Sequence, residues 1–209
     1  MLSSSAKIVI VDYRTGNLNS IKRTLDRLGS RSTVSSRIED LTWADKIILP
    51  GVGHFAKAMA NLEELGLLDA LNETVLIKRK PVLGICLGME LMATRSQEGD
   101  TPGLRWLDAE AVRLKISVAA RHKVPHMGWN RIQIRKPSAL MKGVDDLSEF
   151  YFAHSYHLDI NDRSDLLTET EYSISFPSAV ERNNIFGVQF HPEKSHRIGI
   201  QVLKNFIEM

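Results

Sequence analysis

Short apolar segments of strand length recur through the first half of the chain. KIVIVDY at 7–13, DKIILP at 45–50 and PVLGIC at 81–86 are nearly continuous apolar runs, and RSTVSS at 31–36 is a weaker segment of similar length. Continuous apolar runs of this length are typical of strands that are buried on both faces. The pattern therefore predicts four strands in this half of the chain.

Helical periodicity fills the intervals between these strands. Leucine and isoleucine residues follow the spacing of one helix face over 18–28, and the pattern ends at Gly29. A second helical region runs over 55–80 with a break near Gly66, and LGMELMATR predicts a third helix over 87–95. Strands that alternate with helices in this way favour a parallel, doubly wound α/β sheet.

The second half of the chain has a different pattern, in which strands follow one another through short connections. This arrangement favours an antiparallel portion of the sheet. The chain closes with a helix in SHRIGIQVLKNFIEM, which we expect Ser195 to cap. With neither a repeat nor a low-complexity linker, we expect one α/β domain with a mixed sheet over 1–209. The predicted strands are AEAVRLKI (109–116), WNRIQIRK (129–136), EFYFAHSYHL (149–158), YSISF (172–176), SAVERN (178–183) and IFGVQF (185–190).

Composition excludes several classes of partner. The net charge of +2 is the difference between 27 basic and 25 acidic residues, which gives no reason to expect nucleic acid or an anionic membrane as a partner. No apolar run is long enough for a signal sequence or a membrane span. A single cysteine cannot form an internal disulfide, so a reducing compartment is expected. We therefore expect a cytoplasmic protein.

That single cysteine lies in the segment GICLG. A lone cysteine is usually a small buried apolar residue. Here, however, Cys86 lies between Gly84 and Gly88 at a predicted strand-to-helix junction, which is the pattern of a nucleophile elbow with sulfur in place of oxygen. A helix beginning at Leu87 would favour the thiolate and lower the cysteine pKa to about 3.5–7.5. The Leu87 N–H would then point at a developing oxyanion.

A thiolate needs an acid–base partner, and His191 is the best candidate among seven histidines. In GVQFHPEKS a strand ends at His191, and an extended H-P-E would place His191 and Glu193 on the same side of the backbone. Glu193 could hold one imidazole nitrogen while the other faces Cys86. The three residues together indicate a nucleophilic triad. A solvated glutamate at an ordinary strand end is the simpler interpretation of H-P-E alone.

A second oxyanion donor is expected from LPGVGHF at 49–55, where two glycines let the backbone turn an N–H inward. The residues from Gly51 to Ala56 also fit the dinucleotide fingerprint G-x-G-x-x-A. That interpretation requires an acidic residue at the end of the next strand, which ends in Cys86 instead. We therefore reject a dinucleotide site.

With these motifs in place, the sequence resembles the class I (triad) glutamine amidotransferases over nearly its whole length. The similar segments are VDYRTGNLNSI (11–21), LPGVGHF (49–55), GICLGME (84–90), PHMGWN (125–130), YFAHSY (151–156) and GVQFHPEKS (187–195). The resemblance implies a three-layer, flavodoxin-like fold with a parallel core and an antiparallel portion. It also implies a glutaminase that needs no metal and no organic cofactor.

Residue roles follow from the same resemblance. Cys86 would attack the side-chain carboxamide of L-glutamine, and His191, oriented by Glu193, would protonate the departing ammonia and then activate water. The N–H of Leu87 and the backbone of Val52 and Gly53 would stabilise the oxyanion. The residues expected to bind the substrate are Gly51, Glu90, Glu98, His154, Ser155 and Tyr156.

Within this family the chain looks most like the glutaminase subunits of imidazole glycerol phosphate synthases. Such a subunit would form a heterodimer with a (β/α)8-barrel synthase and pass ammonia to it, and Lys194 and Trp129 are the candidates for the contact surface. A paralogous glutaminase that supplies ammonia for the amidination of a bacterial surface sugar is an alternative. A non-catalytic regulatory or binding paralogue is a second alternative, which the intact triad disfavours.

Position 90 departs from the family pattern, because it holds Glu where the elbow usually carries Gln. An ionised Glu90 would repel both the substrate carboxylate and a Cys86 thiolate. The side chain could be protonated, turn toward the substrate ammonium group, or point away to a basic residue such as Arg95. We expect the second arrangement, because it avoids a buried unpaired charge.

Overall fold

Strands and helices alternate in the first half of the chain, as its apolar pattern predicts. The computed structural model describes residues 6–116 and 123–209. A π-helical turn over Glu73–Ile77 extends the fourth helix. In chain order, the elements of the first half are β1 (Lys7–Val11), α1 (Leu18–Arg27), β2 (Arg31–Ser35), α2 (Ile38–Trp43), β3 (Lys46–Gly51), α3 (Phe55–Glu64), α4 (Leu67–Asn72), β4 (Val82–Cys86) and α5 (Leu87–Glu90).

The second half consists mainly of strands and ends in a long helix. Short 3₁₀ turns occupy Arg163–Asp165 and Pro192–Lys194. The remaining elements are β5 (Arg95–Ser96), β6 (Thr101–Pro102), β7 (Ala109–Arg113), β8 (His126–Arg131), β9 (Gln133–Ile134), β10 (Glu149–His154), β11 (Tyr156–Ile160), β12 (Leu166–Tyr172), β13 (Ile174–Arg182), β14 (Ile185–Val188) and α6 (His196–Glu208).

The main sheet has eight strands in the order β2-β1-β3-β4-β14-β13-β12-β9. Its first five strands are parallel, and antiparallel pairs then join β14 to β13, β13 to β12 and β12 to β9. Two smaller sheets have the orders β10-β8 and β11-β7-β5-β6. The predicted mixed sheet with a parallel core is confirmed.

Helices cover both faces of the parallel strands, which explains the continuous apolar runs. Ile8 and Ile10 face the layer of α1 and α6, whereas Val9 and Val11 face the layer of α2, α3 and α4. All four side chains are buried because successive residues of a strand point to opposite faces. The three layers place the carboxyl ends of β3 and β4 side by side, with Gly51 paired to Cys86.

Helix α5 is much shorter than the predicted helix over 87–95, because it ends at Glu90. The carbonyls of Leu91 and Met92 accept hydrogen bonds from Leu104 and Trp106, a segment that is distant in sequence. These bonds replace the next turn of helix. A helix of four residues gives little dipole to lower the pKa of Cys86.

The antiparallel half differs from the prediction in how its segments divide. The predicted strand over 149–158 splits at Ser155, where the chain leaves the β10-β8 pair and enters the sheet of β11 and β7. YSISF and SAVERN are largely parts of one strand, β13. Strand β12 and helix α2 were missed, because LLTETEY and IEDLTW are too polar to stand out by periodicity.

Helix α6 begins where it was expected, but its first turn is held differently. The Ser195 side chain makes no capping hydrogen bond to the helix. Its hydroxyl instead donates to the His191 carbonyl at 2.7 Å and accepts the Tyr151 N–H at 3.0 Å. Ser195 therefore ties the segment that follows β14 to strand β10. Among the described residues, no helix has the length and apolar character to cross a membrane.

Candidate active site

Cys86 stands at a sharp turn between β4 and α5. Its backbone has φ 54° and ψ −114°, a conformation that L-residues rarely adopt, and its side chain is 5% exposed. A strained strand-to-helix turn of this kind is the feature that presents a nucleophile. The glycines around it serve packing: a Cβ at Gly84 would lie 2.7 Å from the Gly88 oxygen. They let α5 lie against the strands.

The Cys86 thiol is held in its neutral form. Burial raises its pKa well above the usual range, and the charges of Glu90 and Glu193 act in the same direction, against a smaller lowering by the Leu87 N–H. The sulfur lies 3.8 Å from the Ala153 carbonyl oxygen, to which the thiol donates. This direction is opposite to the low pKa expected from the sequence. Activation therefore requires a base that removes the proton as the sulfur reacts.

His191 and Glu193 form a buried pair. Their backbone is not extended as predicted, because a 3₁₀ turn begins at Pro192. The turn nevertheless brings His191 Nδ1 to 2.9 Å from Glu193 Oε1, with both side chains almost fully buried. A carboxylate only accepts, so Nδ1 is the nitrogen that donates to Glu193, and in a neutral imidazole Nε2 is then the acceptor. Within the described residues, His191 Nε2 is buried and has no hydrogen-bond partner.

A cavity of about 160 Å³ opens beside the cysteine. It includes nine of the residues predicted to act on the substrate, whereas Gly51, His191 and Glu193 lie outside its lining. A larger depression of about 570 Å³, lined by Thr94 and Arg95 among others, contains none of the triad. The residues that line the smaller cavity are Val52, Gly53, Cys86, Leu87, Glu90, Glu98, Pro125, Ala153, His154, Ser155 and Tyr156.

The sequence profile of the glutamine amidotransferase class-I family matches residues 9–209. The chain belongs to this family. The elbow cysteine, the buried His–Glu pair and the cavity beside the cysteine all lie within the matched residues. In the described part of the chain, no group of three or more His, Cys, Asp or Glu side chains is arranged to hold a metal ion.

Relatives extend over the full length of this amidotransferase. The imidazole glycerol phosphate synthase subunit HisH 2 of Pseudomonas aeruginosa is 46% identical over 202 residues, covering 97% of this chain and 99% of that protein. The subunit HisH of Moorella thermoacetica is 46% identical over 203 residues, covering 97% of this chain and 94% of that protein.

Solved structures agree on the fold. A crystal structure described as a glutamine amidotransferase has a TM-score of 0.74 at 19% identity and covers 96% of this chain and 97% of its own. A glutamine amidotransferase of Thermotoga maritima has a TM-score of 0.65 at 17% identity, covering 99% of this chain and 82% of its own. Both likenesses show the class I amidotransferase fold.

Glu90 of the amidotransferase is hydrogen-bonded inside the protein. Its Oε1 accepts from Gln189 Nε2 at 2.8 Å, and the same amide nitrogen lies 3.9 Å from Cys86 Sγ. Burial raises the pKa of Glu90 to about 8, with a smaller rise from Glu98, against a lowering by the Gln189 hydrogen bond. Glu90 is therefore mostly protonated at neutral pH and makes no ion pair with Arg95, which pairs with Asp100. Contact with a substrate ammonium group stays a prediction.

Glu90→Gln should stabilise the folded protein, and more so at high pH. Between the unfolded pKa near 4.5 and the folded pKa of about 8, the unfolded chain releases a proton that the folded chain keeps, so the wild type loses stability as pH rises. A glutamine side chain at position 90 does not titrate, so it removes this loss of stability, and its carbonyl oxygen still accepts the hydrogen bond from Gln189. The thermal unfolding midpoints of both proteins, measured at pH 5 and pH 8, test this. An equal difference at the two pH values would contradict a raised Glu90 pKa.

Sequence reasoning missed Gln189 and the hydrogen bonds that hold the 50–55 loop. The Tyr13 hydroxyl donates to the Pro50 carbonyl, the Thr15 hydroxyl donates to the Val52 carbonyl, and Glu98 Oε2 accepts the Phe55 N–H at 2.7 Å. Only the position of Gln189, two residues before His191, could have drawn attention to it. The loop contacts join segments far apart in sequence.

The two residues predicted to contact a partner lie together on the surface. Trp129 is 46% exposed, and its ring stacks on His196 at a centroid distance of 4.9 Å. Lys194 is exposed, with Nζ 5.7 Å from the ring centroid of Tyr151, and Trp129 lies 6.1 Å from the same ring. Trp129 is therefore not a core aromatic residue. We call these four residues the surface cluster.

Proposed function

We propose that the chain is the glutaminase subunit of an imidazole glycerol phosphate synthase, acting in the cytoplasm and passing ammonia to a (β/α)8-barrel subunit in histidine biosynthesis. The observation that carries the proposal is full-length similarity to subunits of that name together with a buried cysteine elbow facing a cavity. The geometry of the His191–Glu193 pair supports hydrolysis through a thioester.

The first half of the reaction forms the thioester. His191 Nε2 removes the thiol proton while Cys86 Sγ attacks the side-chain carbonyl carbon of glutamine. The N–H of Leu87 and the backbone at Val52 and Gly53 hold the resulting oxyanion. The tetrahedral adduct collapses when the imidazolium returns its proton to the nitrogen. The C–N bond breaks, ammonia leaves, and a glutamyl thioester remains on the sulfur.

The second half releases glutamate. Water attacks the thioester carbon while His191 Nε2 accepts a proton from it. The C–S bond then breaks, Cys86 leaves as a thiolate, and the imidazolium returns the proton to the sulfur. Glu193 Oε1 lies 2.9 Å from His191 Nδ1. It holds the ring in place and stabilises the imidazolium in both halves of the reaction. No step requires a metal or an organic cofactor.

Substrate contacts come from the cavity wall. We propose that Glu90 and Glu98 face the amino end of glutamine, and that Gly51, Ser155, Tyr156 and the main chain of His154 supply the remaining contacts. Ser155 lies in the cavity wall between β10 and β11, and its carbonyl accepts the Leu114 N–H at 2.9 Å, which leaves its N–H and its side chain to contact a ligand. A cavity lined by two carboxyl groups suits a ligand that carries an ammonium group, such as an α-amino acid.

Ammonia must not reach water, where it is mostly protonated and no longer a nucleophile. The barrel subunit is therefore proposed to dock on the edge that carries Cys86, with the surface cluster in the contact. The cluster offers exposed aromatic faces and a cation, the residue types enriched at the centres of interfaces. The partner then combines ammonia with a phosphoribulosyl aminoimidazole carboxamide intermediate.

Lys194→Ala should weaken the complex about fivefold or lower the ratio of product formed to glutamine consumed, because an exposed lysine over Tyr151 adds one charged contact. Binding measurements and a coupled assay would report both effects. Lys78→Ala is the matched control, since Lys78 is exposed and precedes β4 at the opposite edge of the sheet. If both lysine variants bind and couple like the wild type, Lys194 is outside the interface.

The function is tested by purifying the chain with a histidine-pathway barrel synthase and supplying glutamine and the synthase substrate. Imidazole glycerol phosphate and glutamate should form in equal amounts. Glutamine hydrolysis without this product would favour the surface-sugar alternative, whose synthase is the next partner to test. Absence of hydrolysis with both partners would favour a non-catalytic paralogue.

A further inference from the structure

Two buried histidines face each other across strands β8 and β10. His126 and His154 are register partners, and His126 Nδ1 lies 3.0 Å from His154 Nε2. His154 Nδ1 lies 2.7 Å from the Tyr156 carbonyl oxygen, and His126 Nε2 lies 3.3 Å from Asn130 Nδ2. The two imidazoles therefore belong to a continuous hydrogen-bonded chain, which we call the histidine chain.

The ends of the histidine chain fix where its protons lie. A carbonyl only accepts, so His154 Nδ1 donates to Tyr156 and His154 Nε2 is left as an acceptor. His126 Nδ1 must then donate to that nitrogen, and His126 Nε2 accepts from the Asn130 amide. The second N–H of Asn130 goes to the Glu171 carbonyl at 2.9 Å. One tautomer of each histidine satisfies every contact within the histidine chain.

Both rings are held in place, and His154 stays neutral. His126 stacks between Phe152 and Tyr172, with centroid distances of 4.8 Å and 3.9 Å. Burial lowers the pKa of His154 to about 3, although its hydrogen bond to Tyr156 acts in the opposite direction. His154 therefore carries no charge at neutral pH, and its two ring nitrogens hold their hydrogen-bond partners in position.

The histidine chain connects two functional surfaces. Its inner end holds the segment of His154, Ser155 and Tyr156, which forms part of the cavity wall beside Cys86. Its outer end is strand β8, whose residues alternate between faces. His126 and Asn130 point inward, whereas Met127, at 67% exposure, and Trp129 point outward.

We propose that His126 and His154 are positioning residues that hold the Ser155–Tyr156 wall of the glutamine cavity and tie its geometry to strand β8. The inference rests on the proposed function, because it assigns the wall to glutamine binding. Neither imidazole reacts with the substrate. A displacement of β8 is transmitted to the wall through two rigid rings instead of through a flexible loop.

Two substitutions at His126 separate hydrogen bonding from packing. His126→Phe keeps a ring between Phe152 and Tyr172 but removes the donor to His154 Nε2. His126→Asn loses the ring but keeps an N–H near the position of Nδ1. An unpaired buried acceptor is costly, so His126→Phe should raise the KM for glutamine about tenfold with kcat within about threefold, and His126→Asn should keep KM within about threefold.

The reverse order, in which His126→Phe keeps the wild-type KM and His126→Asn does not, would show that the ring only packs and would overturn the proposal. Unchanged constants in both variants would do the same. The thermal unfolding midpoint of each variant shows whether a rise in KM comes from a damaged fold.

A spectroscopic measurement on the unaltered chain covers the case in which His126→Phe does not fold. Nitrogen-15 NMR should show the proton on Nδ1 of both His126 and His154, with no titration of His154 between pH 6 and pH 9. A proton on His154 Nε2 would refute the histidine chain. This readout is independent of activity, so it still decides the question if the chain hydrolyses no glutamine and the proposed function fails.

Discussion

Cys86→Ala should abolish glutamine-dependent synthesis, with a loss of at least about 10³-fold in glutamine hydrolysis, because no other side chain at the site can form the thioester. Cys86 is the chain's only cysteine, so no neighbouring thiol can replace it. The partner synthase supplied with an ammonium salt at alkaline pH should still turn over. Steady-state assays with each nitrogen source measure both results.

Chemical labelling gives an independent measure of the same residue. A glutamine-like diazoketone should add its mass once per chain, on the peptide that contains Cys86, since the substrate cavity leads to that sulfur. The thiol is buried and its pKa is raised, so a simple alkylating reagent without a glutamine-like part should react much more slowly. Hydrolysis by Cys86→Ala at a rate near that of the wild type would overturn the thioester mechanism.

Local sequence is enough to predict the parts of the site that depend on one turn of backbone. The elbow follows from a buried strand that ends in G-x-C-x-G, and the pairing of His191 with Glu193 follows from their separation of two residues. The backbone between those two residues is a 3₁₀ turn instead of an extended segment, yet their side chains still meet at 2.9 Å. Short spacing restricts the possible arrangements.

Features set by contacts between distant segments could not be predicted in this way. Helix α5 ends at Glu90 because backbone groups of the 104–107 segment bond to the residues after it. The raised pKa of Cys86 depends on its burial, which periodicity does not measure. The contact of His126 with His154 requires the register between β8 and β10. Each of these depends on packing across the sheets.

The same dependence on packing makes Gly88 a sensitive position. Gly88→Ala should destabilise the protein by more than the roughly 1–3 kcal/mol usual for added atoms in a packed core. A Cβ at Gly88 would lie 1.7 Å from the carbonyl oxygen of Leu49, which belongs to the central strand β3. A backbone atom in the middle of a sheet cannot rotate away, so α5 must move and carry Cys86 with it.

Gly29→Ala is the matched control for that substitution. Gly29 has φ 72° and nothing within 4 Å of an added Cβ, so alanine there bears only the cost of a left-handed backbone, about 1–2 kcal/mol. Gly88→Ala should therefore show the lower unfolding midpoint of the two in urea, and should lose glutamine hydrolysis at concentrations where it remains folded. Equal midpoints and retained activity would mean that α5 can shift without displacing the elbow. The close approach of Leu49 to Gly88 would then have no part in presenting the cysteine.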